Sequence, residues 1–377
     1  MKVRSQAIAW AVAVSAALVF TTSARAEDLV IGAVGSMTGV AAAFDKAVVE
    51  GVQAYIKVWN DKGGFKGRRV TFELLDDESN SATAVTVYRK LVEDKQINVI
   101  IAASPSQTLL AIKAIADDYG VPTIGSATVV QLAVPPAKYF FRSLPGTDAY
   151  MQTLIDWVKA RGWKKIAILN PSDAAGQSEA GLIKEDAAVA GIEIVAAEKY
   201  NSSDTNFTAQ LVNIRNAKPD FFYCGIIGGP SVTVYKQVKQ LHLTMPIALH
   251  SSAFNPNFYS GIGGEAEAEG VYSPVERGGM AGGAGGISGD LYKQASEAMG
   301  HPATNLNTAG WDTAMAVAHA IETSDGTREG IREALEKTKD LPVIGGLISF
   351  APGDHRGKDE RSVGIGQLSG GHFIEAK

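Results

Sequence analysis

The sequence predicts an α/β protein made of two doubly wound lobes. Short apolar runs alternate with segments of helical periodicity, a pattern typical of parallel strands with helices on both faces of the sheet. This alternation occurs twice, once before about Arg142 and once after it. The roughly 350 residues that follow the N-terminal leader are also more than one ordinary domain holds, which favours two lobes.

The leader has the three parts of a secretory signal peptide. A basic start, Met1 to Arg4, precedes an apolar run from Ala7 to Phe20 and the small-residue site Ala24-Arg-Ala. Residues 1–26 are therefore predicted to be a signal peptide cleaved after Ala26. The apolar run is too short and too alanine-rich for a convincing membrane span. The cleavage site also contains no cysteine to which a lipid could be attached. We expect an exported, soluble, periplasmic protein.

Composition argues against several classes of partner. Loss of Lys2, Arg4 and Arg25 with the leader leaves 32 basic and 40 acidic side chains, a net charge of −8 without long charged blocks. This balance disfavours nucleic acid and anionic lipid as partners. The single cysteine, Cys224, lies in an apolar run, cannot form an intrachain disulfide, and is expected to be a core residue.

The first run of elements starts with a strand from Asp28 to Gly35. Phe44, Val48, Val52, Ile56 and Trp59 then recur at helical spacing, and the paired glycines 63 and 64 are predicted to end this helix. After the second run, a glycine-rich segment, residues 278–289, precedes three consecutive helices. A short strand-rich tail is predicted from residue 345 onward.

Hydroxyl-bearing turns follow two neighbouring strands of the first run. Ser104, Ser106 and Gln107 follow one strand, and Ser126 and Thr128 follow the next. Parallel strands place such turns at the carboxyl end of the sheet, where open α/β sheets bind ligands. Helix-start amides and small hydroxyls there suit a carboxylate, although the same residues could act only as helix caps.

The sequence offers no recognisable catalytic constellation. It lacks a Gly-x-Ser-x-Gly elbow, a His-Glu-x-x-His pair, a phosphate-binding loop and a dinucleotide fingerprint. His250, which ends an apolar strand, is either a local hydrogen bonder or a ligand contact. The acidic run from Asp76 to Glu78 is either a helix start or a cation site, and the helix start is favoured. We therefore predict no enzymatic activity, no cofactor and no metal site.

Several segments together resemble one family. They are Leu29-Val-Ile-Gly, Thr38-Gly, Trp59-Asn-Asp-Lys-Gly-Gly-Phe-Lys-Gly-Arg-Arg-Val and Asp76-Asp, with Ala266-Glu-Ala-Glu-Gly-Val further on. The sequence resembles type I periplasmic binding proteins of the leucine/isoleucine/valine-binding kind, which serve branched-chain amino acid type ABC transporters. The similarity extends over essentially the whole chain after the leader.

The resemblance implies two lobes joined by three crossovers, with a ligand cleft between them. The crossovers are expected near residues 142–145, 271–274 and 343–350. The N-terminal lobe would comprise residues 27–143 and 274–344, and the C-terminal lobe residues 144–273 and 345–377. A monomer that delivers its ligand to permease subunits in the inner membrane is expected.

The resemblance also implies a set of ligand-binding residues. On the first lobe they are Ser36, Ser104, Ser106, Gln107, Ser126, Ala127 and Thr128, which include the family's carboxylate-binding turns. On the second lobe they are Asp173, Ala175, Ile227, Gly228, His250 and Ser252.

The second-lobe half departs from the family pattern. Amino-acid-binding members carry an acid near His250 that pairs with the ligand ammonium, whereas this chain has no acid between Met245 and Gly263. Ala175 and Ile227 also replace two tyrosines. Either Asp173 binds the ammonium or the ligand has none, and we favour a small ammonium-free carboxylic acid with an apolar or aromatic body, held at its far end by His250 and Phe254. The alternatives are an amino acid receptor and an exported sensing module that signals to a membrane partner.

Overall fold

The computed structural model describes residues 28–376, apart from residues 95, 202, 227–229, 255 and 281–286. The predicted signal peptide, residues 1–26, lies outside the described residues. No helix in the described part of the chain is long and apolar enough to cross a membrane.

The first lobe is organised around a five-stranded parallel sheet with the strand order β2-β1-β3-β4-β5. Its strands are β1 (Leu29–Gly35), β2 (Val70–Asp76), β3 (Ile97–Ala103), β4 (Thr123–Gly125) and β5 (Phe140–Arg142). Its first three helices are α1 (Ala42–Asp61), α2 (Ser81–Glu93) and α3 (Ser106–Tyr119). Val52 and Ile56 of α1 pack on one face of the sheet, and Tyr88 of α2 and Ile112 of α3 pack on the other. Covered on both faces, the sheet has the predicted doubly wound form.

The segment that carries most of the family resemblance has a structural role. The Asn60 side chain donates to the Val70 carbonyl and accepts from the Val70 N–H, both at 2.8 Å. Gly64 has a φ of 63° and donates its N–H to the Trp59 carbonyl, so the predicted glycine end of α1 is confirmed. This segment therefore ends the helix and fixes the start of β2.

Replacing Asn60 with alanine is expected to lower the free energy of unfolding by about 1–3 kcal/mol, because Val70 is buried and both its backbone groups would lose their partner. Urea denaturation would measure the loss. Asn213→Ala, which removes only an exposed contact with Glu198, is the matched control and should change little. Equal losses in the two variants would contradict the assigned role.

The second lobe contains a seven-stranded sheet with the order β15-β14-β10-β9-β8-β6-β7. Its strands are β6 (Lys165–Pro171), β7 (Glu193–Tyr200), β8 (Phe221–Cys224), β9 (Ile247–Leu249), β10 (Tyr272–Glu276), β14 (Val363–Ser369) and β15 (His372–Glu375). Its helices are α4 (Thr147–Ala160), α5 (Ala174–Ala190), α6 (Thr208–Ala217), α7 (Pro230–Gln240) and α8 (Pro256–Ile262). The strands from β6 to β10 are parallel, and the last two are antiparallel. Cys224 is fully buried, as predicted for a core residue, and burial raises the pKa of its thiol.

The chain then returns to the first lobe. Its elements there are α9 (Ile287–Met299), α10 (Asn305–Glu322), α11 (Arg328–Lys337), β11 (Leu341–Val343), β12 (Gly346–Ala351) and β13 (Asp354–Gly357). α10 lies directly on α1, where a methyl group at Gly51 would overlap the Asn307 carbonyl and one at Gly310 the Val48 carbonyl. The two glycines thus allow the backbones of these helices to touch.

Strand pairing differs from the expected lobe boundaries in two places. β10 belongs wholly to the second sheet, so the chain leaves that lobe after Glu276 and not at residue 274. β12 and β13 form a small sheet with β11 and pack against α11 and β5, so residues 345–357 lie with the first lobe. Ile344 and Gly345 form a hairpin turn in place of the expected third crossover, which instead runs from Lys358 to Ser362.

A buried ion triad ties the crossovers together. Lys358 Nζ lies 2.6 Å from Glu276 Oε2 and 2.7 Å from Asp312 Oδ2. Asp312 also accepts from the N–H groups of Ile344 and Gly345, each at 2.8 Å. Burial raises the pKa of Glu276, whereas the two acids outweigh the effect of burial and raise the pKa of Lys358. The triad therefore links the second and third crossovers to α10.

Candidate functional site

The structure brings the predicted first-lobe residues to one end of the sheet. Gly35, which precedes Ser36, pairs with Ala103 of β3, and Ala102 of β3 pairs with Gly125 of β4. The residues after these three strands therefore meet at the carboxyl edge, as the alternation of strands and helices predicts.

Asp77, which stands out in the sequence only as part of the acidic run from Asp76 to Glu78, organises this edge. Ser36 Oγ donates to Asp77 Oδ1 at 2.6 Å, and Ser104 Oγ donates to Asp77 Oδ2 at 2.5 Å. All three residues are buried. The hydroxyl hydrogens of Ser36 and Ser104 are thus committed to Asp77 and are not free for a ligand. The sequence signal that indicates this role of Asp77 is its position directly after β2, the strand next to β1.

Asp76, the preceding acid, holds the loop after β1. It accepts from Met37 N at 2.9 Å, from Thr38 Oγ1 at 2.7 Å and from Glu78 N at 2.8 Å. Although slight burial acts in the opposite direction, these donors lower the pKa of Asp76. The acidic run thus fixes loops, while Asn80 caps α2 by accepting from Ala82 N and Thr83 N.

Asp45 is a second buried acid beside Asp77. It is 7% exposed, and within the described structure its Oδ2 has no hydrogen-bond partner. Burial raises the pKa of Asp45 to about 7; a hydrogen bond with Ser36 opposes this shift, and the charge of Asp77 adds to it. Two carboxylates therefore lie behind the hydroxyl-bearing turns.

The start of α3 does not use the predicted hydroxyls as caps. Its N-cap residue is Pro105, and no side chain caps this helix. Ser106 is half-buried and Gln107 exposed, and neither side chain has a hydrogen-bond partner among the described residues. The open first turn of α3 is the arrangement that suits a small anion.

The turn after β4 contributes a second group of residues. Ser126 Oγ lies 2.9 Å from Thr313 Oγ1 of α10, so this hydroxyl links two elements of the first lobe. Ala127 is buried, and Thr128 is half-buried with its carbonyl accepting from Thr147 N at 2.8 Å. Of Ser126, Ala127 and Thr128, it is Thr128 whose hydroxyl makes no hydrogen bond with another described residue.

The predicted polar residues of the second lobe make hydrogen bonds within their own loops. Asp173 caps α5 by accepting from Gly176 N at 2.8 Å, and both Asp173 and Ala175 are exposed. His250 Nδ1 lies 2.8 Å from Ser252 Oγ, so these two side chains bond to each other. Ile227 and Gly228 lie outside the described residues.

A buried acid of the second lobe lies beside the loop that follows β8. Glu179 of α5 accepts from Tyr223 Oη at 2.6 Å and from Asn170 Nδ2 at 2.8 Å. A methyl group at Gly225 would come within 2.6 Å of Glu179 Oε2. Sequence alone does not reveal this role, because Glu179 lies inside a helix and its partners Asn170 and Tyr223 lie on two separate strands.

The described residues contain no cluster of three or more histidine, cysteine or acidic side chains that could hold a metal ion. A hollow of about 800 Å³ lies along α1 and the first residues of β2, among them Gln53, Asn60 and Thr71. It lies at the end of β2 opposite to Asp76. The strand-end edge, with its open helix start and hydroxyls, is therefore the better candidate site.

Comparison with known proteins places the chain in a family. The periplasmic binding protein family matches residues 28–371. The Leu/Ile/Val-binding protein BraC3 of Rhizobium johnstonii is 26% identical over 253 residues, covering 67% of this chain and 68% of that protein. Other curated relatives are matched over as little as 57% of their length.

Solved structures share the whole fold. An extracellular ligand-binding receptor from Rhodopseudomonas palustris HaA2 has a TM-score of 0.79 and 26% identity, covering 93% of this chain and 99% of that one. The branched-chain amino acid transporter substrate-binding protein LivJ of Streptococcus pneumoniae, solved with isoleucine, has a TM-score of 0.77 at 20% identity, covering 93% and 100%. The chain belongs to the type I periplasmic binding proteins of the leucine/isoleucine/valine-binding family.

Proposed function

We propose that this protein is the extracytoplasmic receptor of a branched-chain amino acid type ABC transporter and binds a small carboxylate ligand between its lobes. The observation that carries the proposal is the uncapped start of α3, flanked by the uncommitted hydroxyls of Ser106 and Thr128. Helix-start amides and hydroxyls together bind carboxylates well. The loaded receptor would then dock on permease subunits in the inner membrane.

The contacts divide the predicted first-lobe residues into two groups. Ser106, Gln107 and Thr128, with the first-turn amides of α3, would hold the ligand carboxylate. Ser36 and Ser104 would shape the site from behind, because both donate to Asp77.

The favoured ligand is an ammonium-free acid with an apolar or aromatic body. Glu179 already accepts from two donors, and one carboxylate oxygen of Asp173 is bound to Gly176. A buried ammonium without a carboxylate partner would cost several kcal/mol. A leucine-like amino acid is the second candidate, because relatives such as BraC3 are named for leucine, isoleucine and valine.

Thermal unfolding with L-leucine, 4-methyl-2-oxopentanoate and benzoate tests both points. A ligand present at a hundred times its Kd adds about 2.7 kcal/mol to stability. We expect the oxo acid or benzoate to raise the Tm and leucine to leave it unchanged. Stabilisation by leucine alone would contradict the ammonium-free ligand, and no stabilisation by any of the three would count against the carboxylate site. Native mass spectrometry of freshly purified protein would identify a retained ligand directly.

Replacing Ser106 or Thr128 with alanine is expected to weaken binding of the carboxylate ligand about 10- to 150-fold, the value of one hydrogen bond to a charged group. Isothermal titration calorimetry would measure the change. Thr86→Ala, on the exposed side of α2, should keep the affinity of the unaltered protein. Affinity that stays constant in both site variants would refute the assignment.

A further inference from the structure

The two buried carboxylates behind the proposed anchor, Asp77 and Asp45, differ in their supply of hydrogen-bond donors. Asp77 accepts from the hydroxyls of Ser36 and Ser104 and from the Ser79 N–H, at 2.6, 2.5 and 2.9 Å. Asp45 is 7% exposed, and its Oδ2 is without a partner among the described residues. A buried, unpaired carboxylate oxygen is costly when charged and much less so when it carries a proton.

The elements packed against α1 offer this pair little compensation. The strands β1 and β3 carry no charged side chain. The titratable groups on the other packed elements are Glu73 and Asp76 of β2, Asp290, Tyr292, Lys293 and Glu297 of α9, and Asp312, His319 and Glu322 of α10. α1 itself carries Lys46, Glu50, Tyr55, Lys57 and Asp61. Lys57 pairs with Asp61, and Asp312 is bound to Lys358.

We propose that ligand capture is coupled to proton uptake by Asp45, the buried neighbour of Asp77. This inference rests on the proposed carboxylate site. A proton on Asp45 lets Ser36 accept from Asp45 while it donates to Asp77. Without that proton Asp45 competes with Asp77 for the Ser36 hydroxyl hydrogen, and its other donor is the Ser36 N–H.

A ligand carboxylate at the neighbouring strand ends brings a third negative charge to this edge. It therefore binds better when Asp45 is protonated, and by linkage binding raises the affinity of Asp45 for a proton. Burial already raises the pKa of Asp45 to about 7, so the coupling acts near neutrality. Below about pH 6 the proton is already present and the Kd should be constant, whereas above about pH 7 the proton must be taken up and the Kd should rise.

Calorimetric titrations in buffers of different ionisation enthalpy would count the protons. The probes are L-leucine, 4-methyl-2-oxopentanoate and benzoate, and the proteins are the unaltered chain, Asp45→Asn and, as a matched control, Asp118→Asn at the exposed end of α3. We expect uptake of about half a proton near pH 7.5 and a Kd about five- to tenfold larger at pH 8.5 than at pH 6. Asp45→Asn should lose both effects and Asp118→Asn should keep them. Binding without proton uptake, or equal uptake in Asp45→Asn, would overturn the inference.

The ligand-free protein separates this inference from the proposed function. If none of the three probes binds, the proposed function fails. Carbon-13 NMR of the aspartate carboxyl carbons then tests the pair by itself. A carboxyl that titrates near pH 7 and is missing from Asp45→Asn supports a proton held by Asp45. Titration of Asp45 in the ordinary aspartate range overturns the inference whether or not a ligand is found.

Discussion

Replacing Lys358 with alanine is expected to lower the free energy of unfolding by about 3–5 kcal/mol, the usual cost of removing one partner from a buried ion pair. Lys358 is almost fully buried and contacts Glu276 and Asp312, at 2.6 and 2.7 Å. Without the ammonium, the carboxylates of Glu276 and Asp312 would face each other beside the crossovers with no cation between them. Asp312 would also hold the amides of Ile344 and Gly345 less firmly, because one of the carboxylates would have to take a proton.

Urea denaturation at neutral pH would measure this loss. The control is Lys57→Ala, which breaks a pair with Asp61 of similar length, 3.0 Å, but between exposed side chains. An exposed pair is worth about 0–1 kcal/mol. Adding Glu276→Gln to Lys358→Ala should recover part of the stability, because it removes one of the two stranded charges. A loss in Lys358→Ala no larger than that in Lys57→Ala would refute the role of the triad.

The fold could be predicted because its signals are local. The alternation of strands and helices, the paired glycines after α1 and the burial of Cys224 depend on periodicity and on short-range turn chemistry. The third crossover was misplaced because the chain makes a hairpin turn at Ile344 and Gly345, and the glycine pair 345–346 indicates a break without saying which sheet the next strand joins. The contacts that decide this point are long-range, since Lys358 and Glu276 are 82 residues apart.

The site could be predicted only in outline for the same reason. The sequence placed Ser104 and Ser106 at a strand end but could not separate their roles. Ser104 bonds to Asp77, 27 residues earlier in the chain, whereas Ser106 opens a helix whose N-cap is Pro105. The sequence could not decide between helix caps and an anion site, because the decision depends on which hydroxyl already has a hydrogen-bond partner in the folded protein.

The Asp45→Asn variant is expected to be more stable than the unaltered protein by roughly 2–4 kcal/mol at pH 8 and by roughly a third of that at pH 5. Burial raises the pKa of Asp45 from 3.8 to about 7 in the folded protein. Between these two values the folded state holds a proton that the unfolded state does not, so stability falls as the pH rises from about 4 to about 7. Above that range both states are ionised, and the folded protein bears the full cost of a buried charge next to Asp77. Asparagine has the same shape but never ionises, so this cost disappears.

Urea denaturation of both proteins from pH 5 to pH 8 would reveal the difference, and Asp118→Asn controls for the loss of one negative charge from the same lobe. The curves of Asp45→Asn and the unaltered protein should diverge as the pH rises, while that of Asp118→Asn should run parallel to the unaltered protein. Parallel curves for Asp45→Asn would mean that Asp45 is ionised at no cost in the folded protein. Because no ligand is added, diverging curves would show that the folded protein by itself holds a proton on Asp45 near neutral pH. A further change in the curves when ligand is added would then measure how strongly this proton is coupled to binding.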